Sequence, residues 1–156
     1  MPVKQLAYEV EGWGVGELWL EDGVVVWHEL PHPSRIGSKL GTSALVERLQ
    51  AYFAGDDVSL DDVPVDLEHE TTFFDRCAHE LRAIPRGEVV TYGELAALAG
   101  APGAARAAGT FCARSRLGLF VPCHRVVAAG GLGSYGSYGV AYKKRLLQLE
   151  GALASV

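Results

Sequence analysis

The first part of the chain combines short β-prone runs with turn residues, which predicts a small sheet followed by a helix. Residues 17–20 and 24–27 are two such runs, and Asp22-Gly23 lies between them. Asp-Gly in this position is a hairpin signal. Thr42-Ser43 then opens an apolar stretch with helical spacing, which ends at Gly55. The apolar positions of this predicted helix are Leu45, Val46, Leu49, Tyr52 and Phe53.

An acidic segment separates this region from the second half. Residues 56–70 contain seven acidic residues and Pro64, and they show little hydrophobic periodicity. We interpret the segment as an exposed linker. The chain is therefore expected to divide into an N-terminal α/β subdomain, residues 1–69, and a C-terminal domain, residues 70–156.

The second half of the chain predicts helices. Two capping-box patterns, in which an acid follows a threonine by three residues, place helix starts at Thr72 and Thr91. The first predicted helix continues to Ile84, and the second covers residues 92–98 and ends at Gly100.

A third helix is predicted over residues 102–113. Residues 103–109 are all glycine or alanine except Arg106, the one long side chain in their middle. Small residues let another backbone approach closely, either within the protein or from a partner, and the pattern leaves both open. Residues 130–139 form a glycine-rich, flexible loop with two tyrosines. A last helix is predicted over residues 140–150. Three basic residues share one of its turns: Lys143, Lys144 and Arg145.

Composition narrows the class of protein. The hydrophobic content of 49% and charged content of 21% are ordinary for a soluble globular protein. The N-terminus lacks the apolar core of a secretion signal, and no run of about 18 apolar residues predicts a membrane helix. The three cysteines are odd in number and lack Cys-x-x-Cys spacing. We therefore expect a cytoplasmic protein without disulfides or a metal site.

Four histidines lie outside any motif and are expected at the surface or in caps: His28, His32, His69 and His79.

The net charge of −5 is unevenly distributed. Residues 1–75 hold 4 Lys/Arg and 15 Asp/Glu, a net −11, whereas residues 76–156 hold 10 Lys/Arg and 4 Asp/Glu, a net +6. A basic half is compatible with an anionic partner such as DNA or RNA. Two solvated faces of one domain would give the same distribution.

The segment most informative about chemistry is Val-Pro-Cys-His-Arg-Val at residues 121–126. Cys123 lies between a proline and His124, and Arg125 follows. Cysteine is the side chain closest to being a nucleophile at neutral pH, and a neighbouring histidine or cation favours its thiolate. From these residues alone, two interpretations of Cys123 remain open: a reactive cysteine and an inert buried one.

Several segments together carry a resemblance to a known family. They are Tyr52-Phe53-Ala54-Gly55, residues 84–92 (IPRGEVVTY), Ala104-Ala105-Arg106-Ala107, residues 121–126 (VPCHRV), and Leu146-Leu147 with Glu150-Gly151. Over roughly residues 48–151 the chain resembles the O6-alkylguanine-DNA alkyltransferases, which are suicide DNA repair proteins. The resemblance implies an α/β (α+β) fold. An N-terminal subdomain would hold a small β-sheet and a helix, and a C-terminal DNA-binding subdomain would have a winged helix-turn-helix-like arrangement.

The resemblance implies a chemical role for four residues. Cys123 is expected to accept the alkyl group of O6-alkylguanine and, less efficiently, of O4-alkylthymine. His124 would act as its base through a water molecule, and Glu150 would orient His124. Tyr92 would donate a proton to the guanine leaving group. No cofactor is implied, and the expected partner of this monomeric protein is double-stranded DNA containing O6-alkylguanine, with no membrane involved.

The resemblance also implies DNA contacts and a base pocket. Arg106 corresponds to an arginine finger that fills the stack after base flipping, and small neighbours would let its helix enter the minor groove. The expected DNA-binding residues are Arg106, Ala105, Gly109, Thr91, Tyr92 and Arg125. Carbonyls of Cys123 and Val126 would accept from the guanine amine, and loop amides would donate to the alkylated oxygen. The expected pocket residues are Val126, Gly133, Ser134, Tyr135, Gly136 and Ser137.

The chain departs from the family pattern at four positions. Ser115 and Arg116 occupy the places of an asparagine and a proline, Gly118 occupies a further proline-rich position, and Cys112 is atypical. An alternative reading is an alkyltransferase-like module that binds lesions without transfer. Such relatives replace the cysteine, so Cys123 argues against that reading. A cysteine hydrolase is a third reading, but it leaves the arginine-bearing helix without a role.

Overall fold

The computed structural model describes residues 3–36, 39–67 and 71–153. The chain forms two compact units: the first comprises Met1–Asp66 with Arg116–Gly118, and the second comprises Leu67–Ser115 with Leu119–Val156. The expected mixture of helices and strands, an α+β fold, is confirmed. The expected boundary between residues 69 and 70 lies outside the described residues and stays a prediction.

The first unit contains a three-stranded antiparallel sheet in the order β1-β2-β3. Its strands are β1 Lys4–Val10, β2 Gly14–Glu21 and β3 Val24–His32. The turn between β2 and β3 is the predicted Asp22-Gly23, where φ is 51° and 79°. Positive φ at both central residues is the conformation that suits the twist of a hairpin, so the Asp-Gly prediction is confirmed.

The predicted helix of the first unit is α1, Ala44–Phe53. The Ser43 side chain accepts a hydrogen bond from the backbone N–H of Val46 at 3.1 Å, which caps the first turn. Gly55, with φ of 98°, follows the helix end. The helix buries Val46, Leu49, Tyr52 and Phe53.

The acidic segment is not a fully exposed linker, so that prediction is wrong for part of its length. Leu60 and Val63 are buried. The Val25 N–H donates to the Pro64 carbonyl at 3.0 Å, and the Asp66 N–H donates to the Val25 carbonyl at 2.9 Å. The segment thus pairs with β3, whose outer backbone edge would otherwise lack partners.

Residues 116–118 cover the same edge of β3 further along. The His28 N–H donates to the Arg116 carbonyl at 2.8 Å. The Arg116 side chain donates to the Val26 carbonyl and forms an ion pair with Asp66, each at 3.1 Å. A Cβ on Gly118 would lie 3.1 Å from the Leu30 side chain, which explains the small residue there.

His28 is buried, so the expectation of a surface position is wrong for this histidine, whereas His79 is exposed as expected. His28 Nδ1 lies 2.7 Å from the Gly118 carbonyl oxygen and Nε2 lies 2.6 Å from the Tyr8 hydroxyl. Because a carbonyl can only accept, Nδ1 carries the proton and Nε2 accepts from Tyr8. Burial lowers the pKa of His28 to about 4. His69 lies outside the described residues.

Among its described residues, the second unit contains four α-helices and a two-stranded parallel sheet. The helices are α2 Thr72–Arg82, α3 Tyr92–Leu98, α4 Ala105–Arg114 and α5 Val140–Leu149. The strands are β4 Val90–Thr91 and β5 Val126–Val127. Short 3₁₀ helices also occur at Cys123–Arg125 and Gly136–Tyr138. Pairing of β4 with β5 brings the start of α3 next to the segment that follows Cys123.

The predicted helix starts are partly correct. At Thr91 the capping box is confirmed, because its hydroxyl accepts from the Glu94 N–H while the Glu94 side chain accepts from the Thr91 N–H. Thr71, in extended conformation, caps α2 in place of the predicted Thr72. Helix α4 starts three residues later than predicted, since Gly103, with φ of 89°, forms a turn instead. Within the described residues, no helix is both long and apolar enough to cross a membrane.

Candidate active site

The candidate site is built around Cys123, within the second unit. Pro122 (φ −80°, ψ 67°) leads into the 3₁₀ helix that begins at Cys123. The Cys123 N–H donates to the Val121 carbonyl at 2.8 Å, which fixes the turn. The side chain is enclosed, with 6% of its residue surface exposed. The thiol is therefore largely withdrawn from solvent.

The structure brings His124 and Glu150 together, as expected. His124 Nε2 lies 2.7 Å from Glu150 Oε2, and both side chains are fully buried. The carboxylate accepts, so Nε2 carries the proton and Nδ1 keeps a free lone pair. Nδ1 is buried and has no hydrogen-bond partner within the described part of the chain. Burial lowers the pKa of His124 despite the opposing effect of Glu150, so the ring is a neutral base.

Arg125 holds the other side of the Glu150 carboxylate. Its Nε and Nη2 donate to the two carboxylate oxygens at 2.9 and 3.0 Å, and its Nη1 donates to the Ile84 carbonyl at 2.7 Å. Burial raises the pKa of Glu150, but hydrogen bonds and charge from His124 and Arg125 outweigh it and hold that pKa well below its usual range. This arrangement turns Arg125 inward, in contrast to its expected place at a DNA surface.

The segment after α2 contacts the backbone at the end of α5. Arg86 Nη2 donates to the Leu149 carbonyl at 3.1 Å, at the C-terminal end of α5. Gly87 has φ of 88°, and a Cβ there would lie 3.4 Å from the Glu150 carbonyl oxygen. The Pro-Arg-Gly turn therefore contacts the backbone that carries Glu150.

Tyr92 is the first residue of α3 and faces the glycine-rich loop. A Cβ on Gly133 would lie 3.0 Å from the Tyr92 hydroxyl, so only glycine fits. Burial raises the pKa of Tyr92, and charge on Cys112 and Cys123 raises it further, whereas a hydrogen bond with Ser134 lowers it. Its hydroxyl therefore keeps its proton at neutral pH and lies within electrostatic reach of Cys123.

The loop that contains the expected pocket residues folds over the histidine. The Tyr135 ring lies 6.5 Å from the His124 ring, edge to face. Tyr135 also packs against Tyr138 and Tyr142, with ring centroids 5.7 and 6.3 Å away. Burial raises the pKa of Tyr135 well above its ordinary value. Ser134, Gly136 and Ser137 remain exposed at the loop surface.

Helix α4 presents Arg106 to solvent, and its side chain makes no hydrogen bond or ion pair with the residues that the structure describes. Ala105 and Gly109 are half-buried, and Ala108 is fully buried. A Cβ on Gly109 would lie 3.9 Å from the Tyr92 ring. The small residues thus pack against α3, and Arg106 stays available to a partner.

Three side chains near Cys123 were not assigned to the site by the sequence interpretation. Hydrogen bonding to the Cys123 thiol and burial raise the pKa of Cys112, on α4, far above its usual value. Cys77 on α2 is fully buried, and burial followed by charge on Cys123 raises its pKa to about 11. Lys143 on α5 is fully buried beside the pocket. Burial lowers the pKa of Lys143, while charge on Cys112 and Cys123 opposes this.

This geometry defines a class of site. An enclosed cysteine lies beside a neutral histidine that is held by a carboxylate, and a protonated tyrosine lies opposite. Such residues can transfer a chemical group from a bound ligand to the cysteine sulfur and supply a proton to the part of the ligand that leaves. Among the described residues no cluster has the composition of a metal site.

Comparison with known proteins places the chain in a family. The family model described as "6-O-methylguanine DNA methyltransferase, DNA binding domain" matches residues 72–152. A methylated-DNA–protein-cysteine methyltransferase of Methanopyrus kandleri is 46% identical over 113 residues, covering 72% of this chain and 82% of that protein. The chain belongs to the 6-O-methylguanine DNA methyltransferase family.

Solved structures agree with this assignment. A variant of the Mycobacterium tuberculosis O6-methylguanine methyltransferase matches with a TM-score of 0.81 and 34% identity, covering 99% of this chain and 96% of the other. Mycobacterium tuberculosis OGT in complex with DNA matches with a TM-score of 0.79 and 35% identity, covering 94% and 92%. The expected family is therefore confirmed.

Proposed function

We propose that the chain repairs DNA by transferring the alkyl group of O6-alkylguanine to the sulfur of Cys123, in a single turnover. The observation that carries this proposal is the enclosed Cys123 beside the buried His124–Glu150 pair, in a unit that matches the family's DNA-binding domain. Relatives named methylated-DNA–protein-cysteine methyltransferases support the same activity.

The chemistry balances with the groups present. The thiol proton of Cys123 passes to Nδ1 of His124, through a water molecule as the family resemblance implies. The sulfur then attacks the alkyl carbon, the new S–C bond forms as the C–O bond breaks, and guanine leaves with the electron pair. Tyr92, whose raised pKa keeps its hydroxyl protonated, donates the proton that neutralises the leaving base. The thioether is stable, so each molecule reacts once.

Access to the alkyl carbon requires the base to leave the DNA stack. We propose that Arg106, exposed on α4, fills the space left by the base, and that Ala105 and Gly109 keep the helix slim enough for the minor groove. Thr91 at the start of α3 would contact a phosphate. For Arg125 we propose a role in holding Glu150 in place of the expected DNA contact. Its guanidinium already donates to the Glu150 carboxylate and to the Ile84 carbonyl.

The pocket for the flipped base would be formed by the segment after Cys123 and the glycine-rich loop. Carbonyls of Cys123 and Val126 would accept from the guanine amine, and amides of residues 133–137 would donate to the alkylated oxygen. The same pocket would admit O4-alkylthymine less well. We further propose that the protein acts as a cytoplasmic monomer, with residues 70–156 as the DNA-binding and acceptor domain.

The test is intact mass measured after incubation with duplex DNA that contains one O6-methylguanine. We expect each protein molecule to gain one methyl group, and peptide mapping to place it on Cys123. Cys123→Ser is expected to bind the duplex and gain nothing, because a hydroxyl is far less ionised than a thiol at neutral pH. Binding by the unmodified chain with no gain in mass would indicate the lesion-binding module instead. A methyl group found on Cys112 would show that the acceptor is wrongly assigned.

A further inference from the structure

Lys143 is unusual because its ammonium group is fully buried. Its two neighbours on α5, Lys144 and Arg145, are exposed. An ammonium withdrawn from water is destabilising unless it is well bonded, and an apolar side chain of similar volume often replaces a buried charge without loss of stability. The fold alone therefore gives little reason for a lysine at this position.

The contacts of Lys143 join three separate segments. Its Nζ donates to the Val126 carbonyl at 2.5 Å and to the Ser134 carbonyl at 3.1 Å. The same Nζ lies 5.6 Å from the centroid of the Tyr92 ring, within the range of a cation–π contact. One ammonium thus contacts the strand that follows Cys123, the glycine-rich loop and the start of α3.

Each of these contacts falls on a residue that the proposed function uses. The Val126 carbonyl is expected to accept from the guanine amine, and a carbonyl oxygen has two lone pairs. The bond to Lys143 occupies one lone pair and fixes the direction of the other. Ser134 belongs to the loop whose amides would face the alkylated oxygen, and Tyr92 would supply the proton.

We propose that Lys143 is a positioning residue that sets the geometry of the base pocket, by holding the Val126 carbonyl, the Ser134 carbonyl and the Tyr92 ring around one ammonium. The proposal rests on the proposed transfer to Cys123. Lys143 itself does not touch the reacting atoms. Without it, the loop and the carbonyl lose their shared donor, and a bound base loses its alignment with the sulfur.

The test replaces Lys143 with methionine and, separately, with leucine, both of which suit a buried site. Lys144→Met is the matched control, because it removes the same charge one residue along from an exposed position. For each variant we would measure folding by circular dichroism and the single-turnover transfer rate from O6-methylguanine duplex and from free O6-benzylguanine. The rate of Cys123 alkylation by iodoacetamide, read by peptide mapping, reports on the thiol without a base.

For the Lys143 variants we expect a folded protein and transfer slower by about tenfold on both substrates, the effect of roughly one net hydrogen bond to a charged group. Iodoacetamide alkylation should slow by clearly less than transfer, since loss of the nearby positive charge affects the thiol alone. Lys144→Met should match the unmodified chain in all measurements.

Transfer at the normal rate by the Lys143 variants would overturn the proposal. An equal loss of transfer and iodoacetamide alkylation would do the same, as would failure of both variants to fold. Failure of the proposed function is distinguishable, because the unmodified chain would then transfer nothing.

Discussion

At the scale of single residues, Glu150 explains how a buried histidine can serve as a base. Its carboxylate accepts from His124 on one side and from Arg125 on both oxygens. The arginine compensates the negative charge, so the histidine does not have to be protonated to stabilise the pair. The carboxylate also fixes the tautomer that leaves Nδ1 available.

Glu150→Gln tests this arrangement. An amide oxygen can still accept from His124, but the amide NH₂ then faces the Arg125 guanidinium and the charge is lost. We expect transfer slower by roughly tenfold or more. Because the carboxylate raises the pKa of His124, its removal should also shift the acid limb of the pH–rate profile to lower pH. Glu88→Gln, at an exposed carboxylate, is the control. An unchanged rate and profile would contradict the role of Glu150.

His28 gives a prediction about stability and pH. Its pKa falls from 6.5 to about 4 in the folded protein because of burial. The unfolded chain therefore binds more protons between these values, and stability should fall as the pH is lowered from about 6.5 to about 4. The upper limit of the loss is about 3 kcal/mol. Urea unfolding of the unmodified chain and of His28→Gln across this range should show a shallower dependence for the variant. Parallel curves would contradict the prediction.

Some residues of the site could be predicted and others could not, for physical reasons. Cys123, His124 and Glu150 lie in distinctive segments, so the sequence resemblance identified them. Lys143 looked like one of three basic residues on a surface turn, and Cys112 like a packing residue. Their positions near Cys123 arise from contacts between segments far apart in the chain, which local patterns do not encode.

At the scale of elements, local sequence signals correctly predicted turns and helix starts but did not predict which segments pair with β3. The Asp22-Gly23 hairpin and the Thr91 capping box are determined by neighbouring residues, and both are confirmed. The pairing of residues 64–66 and 116–118 with β3 depends on an open strand edge, and neither segment has an alternating pattern that would reveal it. Arg116, which departs from the family pattern, finds its partners in Val26 and Asp66.

Helix α4 makes a prediction that separates base flipping from chemistry. Arg106→Ala should impair transfer from duplex DNA far more than transfer from free O6-benzylguanine. The arginine would offset an unstacking cost of a few kcal/mol, and a free base has no stack to leave. Single-turnover rates on the two substrates measure the difference, with Arg76→Ala, exposed on α2, as the control. Equal losses on both substrates would point to a structural role for Arg106.

At the scale of the whole molecule, the charge distribution predicts how binding responds to salt. Residues 76–156 carry a net +6 although the chain as a whole carries −5. Phosphate contacts release counterions, so affinity for undamaged duplex should fall steeply between about 50 and 200 mM salt. Fluorescence anisotropy with a labelled duplex measures the slope of the logarithm of affinity against that of salt. Constant affinity would contradict a DNA surface within residues 76–156.

Methylation of Cys123 should lower the stability of the folded protein. Cys123 is enclosed, and an added methyl group has to be accommodated among the residues packed around its sulfur. Overpacking of this kind typically costs about 1–3 kcal/mol. For a chain of this length each kcal/mol lowers Tm by roughly 2–4 °C. Thermal unfolding of the methylated protein, freed of DNA, should therefore begin several degrees earlier. Cys123→Ser taken through the same DNA treatment is the control. An equal or higher Tm after methylation would mean that the site accommodates the alkyl group without strain.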